Sequence, residues 1–339
     1  MKDQVLNIAI LGGFGHIGSV LDEIQNDPYA KIAACVPVYE GEDITAVAAH
    51  RACGQAQRYS DYRRLLDAIR PDVAIIGTRL DLITDVAVDA ARCGCHLICE
   101  KPIALSLDSL ERLYQTVMEH KVNLTAMLSM KNKAAFRTAR SIYHSGLLGR
   151  AVVLNIRKSY KWNGRPRWFG DRRYYGDTLG WVGIHALSVI RFVTGAACIA
   201  LAAAQANRHH PDYPDCQDQG VVLAELDDGA YATISIDLCR PSDAATWGDD
   251  WLRLVGAEAA LQANASRRTC SVLKAGDADY DDMILESDGA IYREFLDTVR
   301  TQRMDIALCN ESFRLTYECL AARQAAEQRQ WVRLESKFE

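Results

Sequence analysis

No run of about eighteen apolar residues, the length a membrane-spanning helix needs, occurs in this chain, so no membrane partner is expected. An excess of base is also missing. Lys and Arg number 39 against 44 Asp and Glu, and the formal net charge of −5 argues against nucleic acid as a partner. Internal repeats, heptad arrays and low-complexity tracts are absent. The eleven cysteines are odd in number and scattered, which speaks against a disulfide framework and for small buried hydrophobes in a reducing compartment. Cys93, Cys95 and Cys99 crowd around His96, yet their spacing fits neither a zinc ribbon nor haem attachment. No metal site is therefore expected. Met1-Lys2-Asp3-Gln4 leads straight into an apolar run, so a cytoplasmic protein without a signal peptide is expected.

What is present is an ordinary globular composition, 49% apolar and 24% charged, over 339 residues, a length that suggests two domains. The most informative stretch is Asn7–Gly18. Ile8 to Leu11 make a short buried strand, and Gly13, Gly15 and Gly18 follow in the order Gly-x-Gly-x-x-Gly. Ile17, Val20, Leu21 and Ile24 then recur at helical spacing. Strand, glycine turn and helix together are the context that marks a dinucleotide site. Gly13 permits the tight turn, Gly15 admits the pyrophosphate, and Gly18 is expected to let helix and strand pack closely. The loop residues Phe14, His16 and Ile17 complete the expected cofactor contacts at the helix N-terminus.

Further apolar runs at 31–38, 73–77, 96–99 and 122–127 alternate with helical patterns, the first of them capped by Ser60 and another starting near Ser106. This predicts an α/β Rossmann-type, doubly wound parallel sheet over residues 1–126. The usual ribose-binding acid is not at the end of the second strand, where Val36-Pro37-Val38-Tyr39-Glu40 stands, and no Arg follows. The cofactor is NAD or NADP, with a lean to NAD. Strand-like runs at 151–160, 199–206, 220–226, 230–238 and 251–255, with a hairpin turn at Asp227-Asp228-Gly229, change the character of the second half. Residues 127–339 are expected to form an α+β domain with a largely antiparallel, open-faced sheet, serving substrate binding and oligomerisation. A helix at 183–193 carries His185, and two more helices, at 289–301 and 311–327, close the chain.

The glycine turn, Cys99-Glu100-Lys101-Pro102-Ile103-Ala104 and Gly183-Ile184-His185 together resemble the Gfo/Idh/MocA oxidoreductase family over essentially the whole chain. The resemblance implies an NAD(P)-dependent dehydrogenase or reductase acting on hydroxyl or carbonyl carbons of sugars, inositols and related small molecules. It marks Lys101 and His185 as catalytic, and Thr78 and Glu100 beside Lys101 as cofactor contacts. Independently of the family, Lys101 follows the carboxyl end of a buried strand, where ligands of doubly wound sheets bind. Partial burial there would favour its neutral form for proton transfer.

The sequence departs from the family pattern. Trp181 stands where an Asp is common four residues before the His, and Ser188 replaces a later Asp. Arg79 stands at a usual Pro and Ile83 at a frequent His. A Lys–Asp–His relay is therefore missing, while a Lys–His pair remains. Trp181 either stacks on a sugar ring or fills a core. From Arg157 to Arg173 there are seven basic residues and one acid, interleaved with aromatics. The bland account is a solvated or subunit-facing loop. The sharper one is recognition of a substrate carboxylate or phosphate, with Arg165, Arg167 and Arg173 as candidates. The leading expectation is a homo-oligomeric (dimeric or tetrameric) NAD(P)-dependent oxidoreductase of a sugar-like polyol. A catalytically impaired dinucleotide-binding sensor or subunit, and a reductase of a non-sugar carbonyl or imine, are the alternatives.

Overall fold

The computed structural model describes residues 4–338, which group into two compact units. The first holds the described residues up to Met127, Ala290–Tyr317 and those from Lys337 on; the second holds Leu128–Gly289 and Glu318–Ser336. A boundary thus falls after Met127, and a late segment returns to the first unit, which no linear division of the chain can express. In chain order the helices are α1 (Ile17–Ile24), α2 (Thr45–Ala49), α3 (Tyr62–Ile69), α4 (Leu80–Arg92), α5 (Leu107–His120), α6 (Ala134–His144), α7 (Arg172–Tyr175), α8 (Ile184–Thr194), α9 (Ile291–Arg300) and α10 (Ile306–Gln328).

In the first unit, β1 (Leu6–Leu11), β2 (Ala30–Val36), β3 (Gln57–Arg58), β4 (Val73–Ile76), β5 (His96–Cys99) and β6 (Leu124–Ala126) form one parallel sheet. Its order, β3-β2-β1-β4-β5-β6, reverses between β1 and β4, so the carboxyl ends of those two strands frame the crevice where such sheets bind ligands. α1 buries Ile17, Val20, Leu21 and Ile24 against Ile8, Ile10 and Ile75. α9 adds Tyr292, Phe295, Leu296 and Val299 to the same core. It has no side-chain cap of its own; Glu23 on α1 instead accepts from the Tyr292 and Arg293 N–H groups at 2.6 and 2.9 Å. Such a cap is worth about 1 kcal/mol. Two local readings change. The cap of α3 is Asp61, accepting from Arg63 N at 2.9 Å, and not Ser60, because Asp61 alone has its carboxylate at the N-cap position. α4 begins at Leu80, a turn before the apolar periodicity of residues 84–93 becomes evident.

In the second unit, β7 (Ala151–Lys161), β8 (Cys198–Ala206), β9 (Gln219–Leu226), β10 (Tyr231–Arg240), β11 (Trp251–Gly256), β12 (Ala259–Asn264), β13 (Thr269–Lys274), β14 (Asp281–Asp282) and β15 (Val332–Arg333) form a sheet ordered β14-β13-β12-β11-β7-β10-β9-β8-β15. Every pairing among these described strands is antiparallel except β7 with β10. Gly229, at φ +85°, closes the β9–β10 hairpin. Along β9 and β10 the residues alternate, with Val222, Ala224, Ile234 and Ile236 buried and Val221 and Leu223 left 55% and 38% exposed. α6 and α8 cover the buried side. α6 and β12 escape the sequence reading because their buried faces are rich in alanine, and β13 because it buries only Cys270 and Val272; α6 also has no side-chain N-cap.

All eleven cysteines are free; nine are buried as expected, but Cys93 and Cys239 are exposed. Burial pushes the Cys95 thiol up to about 12 and that of Cys309 to about 11. Titration of the native protein with Ellman's reagent should therefore modify Cys93 and Cys239 rapidly and the rest only after unfolding. Rapid native-state modification of a buried thiol such as Cys95 would contradict this packing.

Candidate active site

The turn between β1 and α1 has Gly12 at φ +96° and Gly15 at φ +81°, conformations that side chains rarely adopt. A Cβ on Gly13 would run into the Asp43 carbonyl and the Ile44 backbone, and one on Gly15 into the Glu100 carboxylate. The third glycine behaves differently from expectation. Gly18 is exposed and a Cβ there would meet nothing within 4 Å, so it does not set the helix–strand approach. Gly77 does, its missing Cβ lying against the Phe14 carbonyl and 2.6 Å from Ile17 Cδ1. Ile17 is accordingly a core side chain, 1% exposed, which leaves only its backbone N–H for a ligand. Phe14 N–H donates to Gly77 O at 2.8 Å, tying the turn to the end of β4.

Glu100, fully buried at the end of β5, holds this turn from below. Its Oε2 accepts the His16 backbone N–H at 2.5 Å, both oxygens lie 3.0 Å from His16 Nδ1, and Oε1 accepts the Lys101 N–H at 2.9 Å. Burial pushes its carboxyl up, but His16, by charge and hydrogen bond, and Lys101 outweigh that and hold it below its ordinary value. A depressed carboxyl stabilises the fold above the unfolded pKa of about 4.3, and that contribution is lost as pH falls through the folded value. Lys101 is 1% exposed, and the Lys101–Pro102 bond is cis. Thr78, at the end of β4, is fully buried and faces the Glu42 carboxylate. Glu42 Oε2 accepts the Val38 N–H at 2.6 Å, and the Thr78 hydroxyl and Gly13 N–H also face this carboxylate. The acid missing from the end of β2 is thus replaced by one six residues on, folded back over Gly12, with burial pushing its carboxyl up. An exposed glycine turn with two positions closed to any Cβ, beside Glu42 and the buried Thr78, fits a bound dinucleotide. Arg79 is paired with Asp81 at 2.7 Å and lies over the Tyr39 ring.

In the second unit, α8 is preceded by a π-helical turn, Leu179–Gly183, a widened turn common at functional sites. Buried Asp177 organises it. Its Oδ1 accepts the Gly180 N–H at 2.8 Å, and burial raises its carboxyl despite Arg323 at 3.7 Å. Trp181 is 5% exposed, edge-on to Phe169 at 5.9 Å, and its indole donates to the Tyr160 hydroxyl, so its ring is enclosed by protein. His185 and Ser188 are buried in α8. The sequence reading missed Lys131. This lysine is 8% exposed, in a short 3₁₀ turn that packs on α8, five residues past the end of β6.

The three candidate arginines separate. Arg173 is exposed and held by Asp171 in a fork at 2.5 and 3.0 Å. Arg167 is exposed. Arg165 is half-buried, with its guanidinium 5.3, 5.6 and 5.7 Å from the Tyr160, Trp162 and Phe169 ring centres. Each unit therefore assembles its own constellation: the glycine turn with Thr78, Glu100 and Lys101 in the first, and Trp181 with the Arg165 surroundings in the second. As for metals, His210, Asp218 and Cys239 are the grouping of possible ligands among the described residues. There Asp218 already accepts from the Arg208 and His209 N–H groups and faces His210 Nδ1 at 3.2 Å.

Comparison with known proteins follows the same division. Residues 6–127 match the oxidoreductase family, NAD-binding Rossmann fold, and residues 136–262 the GFO/IDH/MocA C-terminal domain. Levoglucosan dehydrogenase of Pseudarthrobacter phenanthrenivorans is 26% identical over 209 residues, 57% of this chain and 52% of that protein. Inositol 2-dehydrogenase 2 of Saccharopolyspora erythraea is 24% identical over 238 residues, 69% of this chain and 67% of that protein. The matched stretch thus spans about half to two thirds of these relatives. A Thermotoga maritima protein assigned as an oxidoreductase superposes with a TM-score of 0.90 at 26% identity, covering 97% of this chain and 100% of that one.

The contact between Gly15 and Glu100 carries a direct expectation. Gly15→Ala should force the carboxylate off the His16 N–H, weaken NADH binding by calorimetry by at least about tenfold, on the order of one lost hydrogen bond to a charged group, and lower Tm. Gly18→Ala should leave both nearly unchanged. Equal effects of the two substitutions would contradict the assignment.

Proposed function

The chain belongs to the Gfo/Idh/MocA family of NAD-binding oxidoreductases, and from that premise we propose that it transfers a hydride to or from a hydroxyl or carbonyl carbon of a sugar-like small molecule. The observation that carries the reading is Lys101, buried at the carboxyl end of β5, its N–H bonded to the same carboxylate that holds the glycine turn. When bound, NAD takes up or returns the hydride. The chain's own residues manage the proton: in the oxidative direction Lys101 Nζ, in its neutral form, accepts it from the substrate hydroxyl, and in the reverse direction returns it. His185 offers a second group able to donate or accept at the substrate oxygens. The sugar-like substrate class is supported by the names of relatives that act on levoglucosan and inositol. NAD over NADP is supported by the Glu42 carboxylate beside the glycine turn, which would repel a 2′-phosphate.

We propose further that two copies associate through the uncovered face of the second sheet. Ala202, Leu223 and Thr233 stand in one cross-strand row and Ala204, Val221 and Ser235 in the next, lining a shallow apolar depression of about 520 Å³ with Trp251 at its side. A flat, small-residue apolar face is self-complementary, and such patches on soluble proteins mark interaction sites.

Lys101→Met keeps the side-chain volume and should lower turnover with NAD about 10²- to 10⁴-fold while changing the NADH dissociation constant little. Near-normal turnover would remove Lys101 from the proton step; no turnover by the unaltered enzyme of any hydroxylated sugar or inositol would favour the sensor alternative. Val221→Lys with Leu223→Lys should shift the protein to monomers in light scattering. An unchanged mass would place the contact elsewhere.

A further inference from the structure

We propose that Arg165 reads a negative charge on the substrate, a carboxylate or a phosphate, which deepens the hydride-transfer reading above and rests on it. The basic stretch 157–173 is not uniformly available. Arg157 is paired with Asp249 at 2.8 Å, Lys158 with Asp250 at 2.8 Å, Arg172 with Glu327 and Arg173 with Asp171. Arg165 has no carboxylate within 4.0 Å among the described residues. Its Nη2 donates to the Lys161 carbonyl at 3.3 Å, and its buried Nε–H has no acceptor. A guanidinium carries five donors, so most of this one's hydrogen-bonding capacity is unused.

The surroundings hold that cation in place without neutralising it. Three aromatic faces attract it through their quadrupoles and also strip it of water, which strengthens its pull on an anion. The Tyr213 hydroxyl donates to the Arg165 carbonyl at 2.6 Å and anchors the backbone beneath the side chain. The planar cation is therefore preorganised, the state in which arginine binds carboxylate or phosphate by two parallel bonds. Two of the rings are shared with the helix that bears His185. Phe169 packs against the Trp181 edge, and Tyr160 receives the Trp181 indole N–H, one turn before His185. The aromatic cluster around Arg165 is thus joined, through Trp181, to the turn that leads into the helix bearing His185. Trp181, which stands where an acid is common in the family, is here part of the aromatic cluster around Arg165.

The test compares D-glucuronate and D-glucose 6-phosphate with D-glucose and myo-inositol as substrates, using the full-length enzyme with NAD. The expected result is that at least one anionic compound is turned over with a kcat/KM above that of the neutral ones. Arg165→Gln should then raise KM for that compound roughly 10- to 100-fold with little change in kcat, and leave the neutral substrates unaffected. Arg165→Lys, which keeps the charge and loses the fork, should fall between. Arg167→Gln, an exposed neighbour, should be silent. Which anion is preferred separates carboxylate from phosphate. Preference of the unaltered enzyme for neutral sugars overturns the inference while leaving hydride transfer standing, and needs no variant to fold. A loss that is equal for charged and neutral substrates would reduce Arg165 to a structural role. Failure of all four compounds to react overturns both readings.

Discussion

The buried Glu100 carboxylate is the interaction on which the first unit's site depends. Four hydrogen-bonding contacts converge on it, from His16 through backbone and ring and from the Lys101 backbone. A charge taken out of water is costly unless every lone pair is used, and leaving one unpaired costs about 3–5 kcal/mol. That cost makes the arrangement all-or-none. The end of β5, the glycine turn and the start of α1 can be in place together or not at all. Gly15 is glycine because the carboxylate occupies the space of its side chain, and Lys101 is set in its position by the residue before it.

The second unit uses a different device. Instead of a buried charge compensated by donors, it holds a cation among aromatic faces, and a widened helical turn in place of a regular one. Buried Asp177 stabilises the turn by accepting the Gly180 N–H, with Arg323 offsetting part of the cost of its burial. The turn in turn delivers Trp181 into the aromatic cluster and starts α8 at Ile184. Aromatic side chains suit this use because they bury large areas with few rotatable bonds. The acid common at residue 181 in the family would be a second buried carboxylate within one turn of Asp177. An indole can donate to Tyr160 at no such cost.

The strands of the first sheet were legible because parallel strands buried on both faces read as continuous apolar runs, as at Ile8–Leu11 and Val73–Ile76. The glycine turn was legible as a turn, but the division of labour among its glycines was not. Whether Gly18 or Gly77 sets the close approach depends on which backbone passes within reach, and Gly77 lies some sixty residues away in the chain. Glu42 was passed over for the same reason, since it reaches the turn only through a loop that doubles back on Val38. α6 and Lys131 lacked local signals altogether: no side-chain cap marks the helix, and a lysine after a strand reads as surface until packing buries it.

By itself the sequence determined the two kinds of sheet, the order of the parallel strands' signals, the dinucleotide turn and the Glu-Lys-Pro motif, because each is written in the spacing of neighbouring residues. Only the tertiary structure decided which polar groups are buried, which of three arginines lies among aromatic rings, and that a helix near the end of the chain completes the first core. Those outcomes are set by contacts between residues far apart in sequence. Arg165, Arg167 and Arg173 are chemically identical in the chain, and differ only in what folding brings beside them: three aromatic rings, solvent, and Asp171.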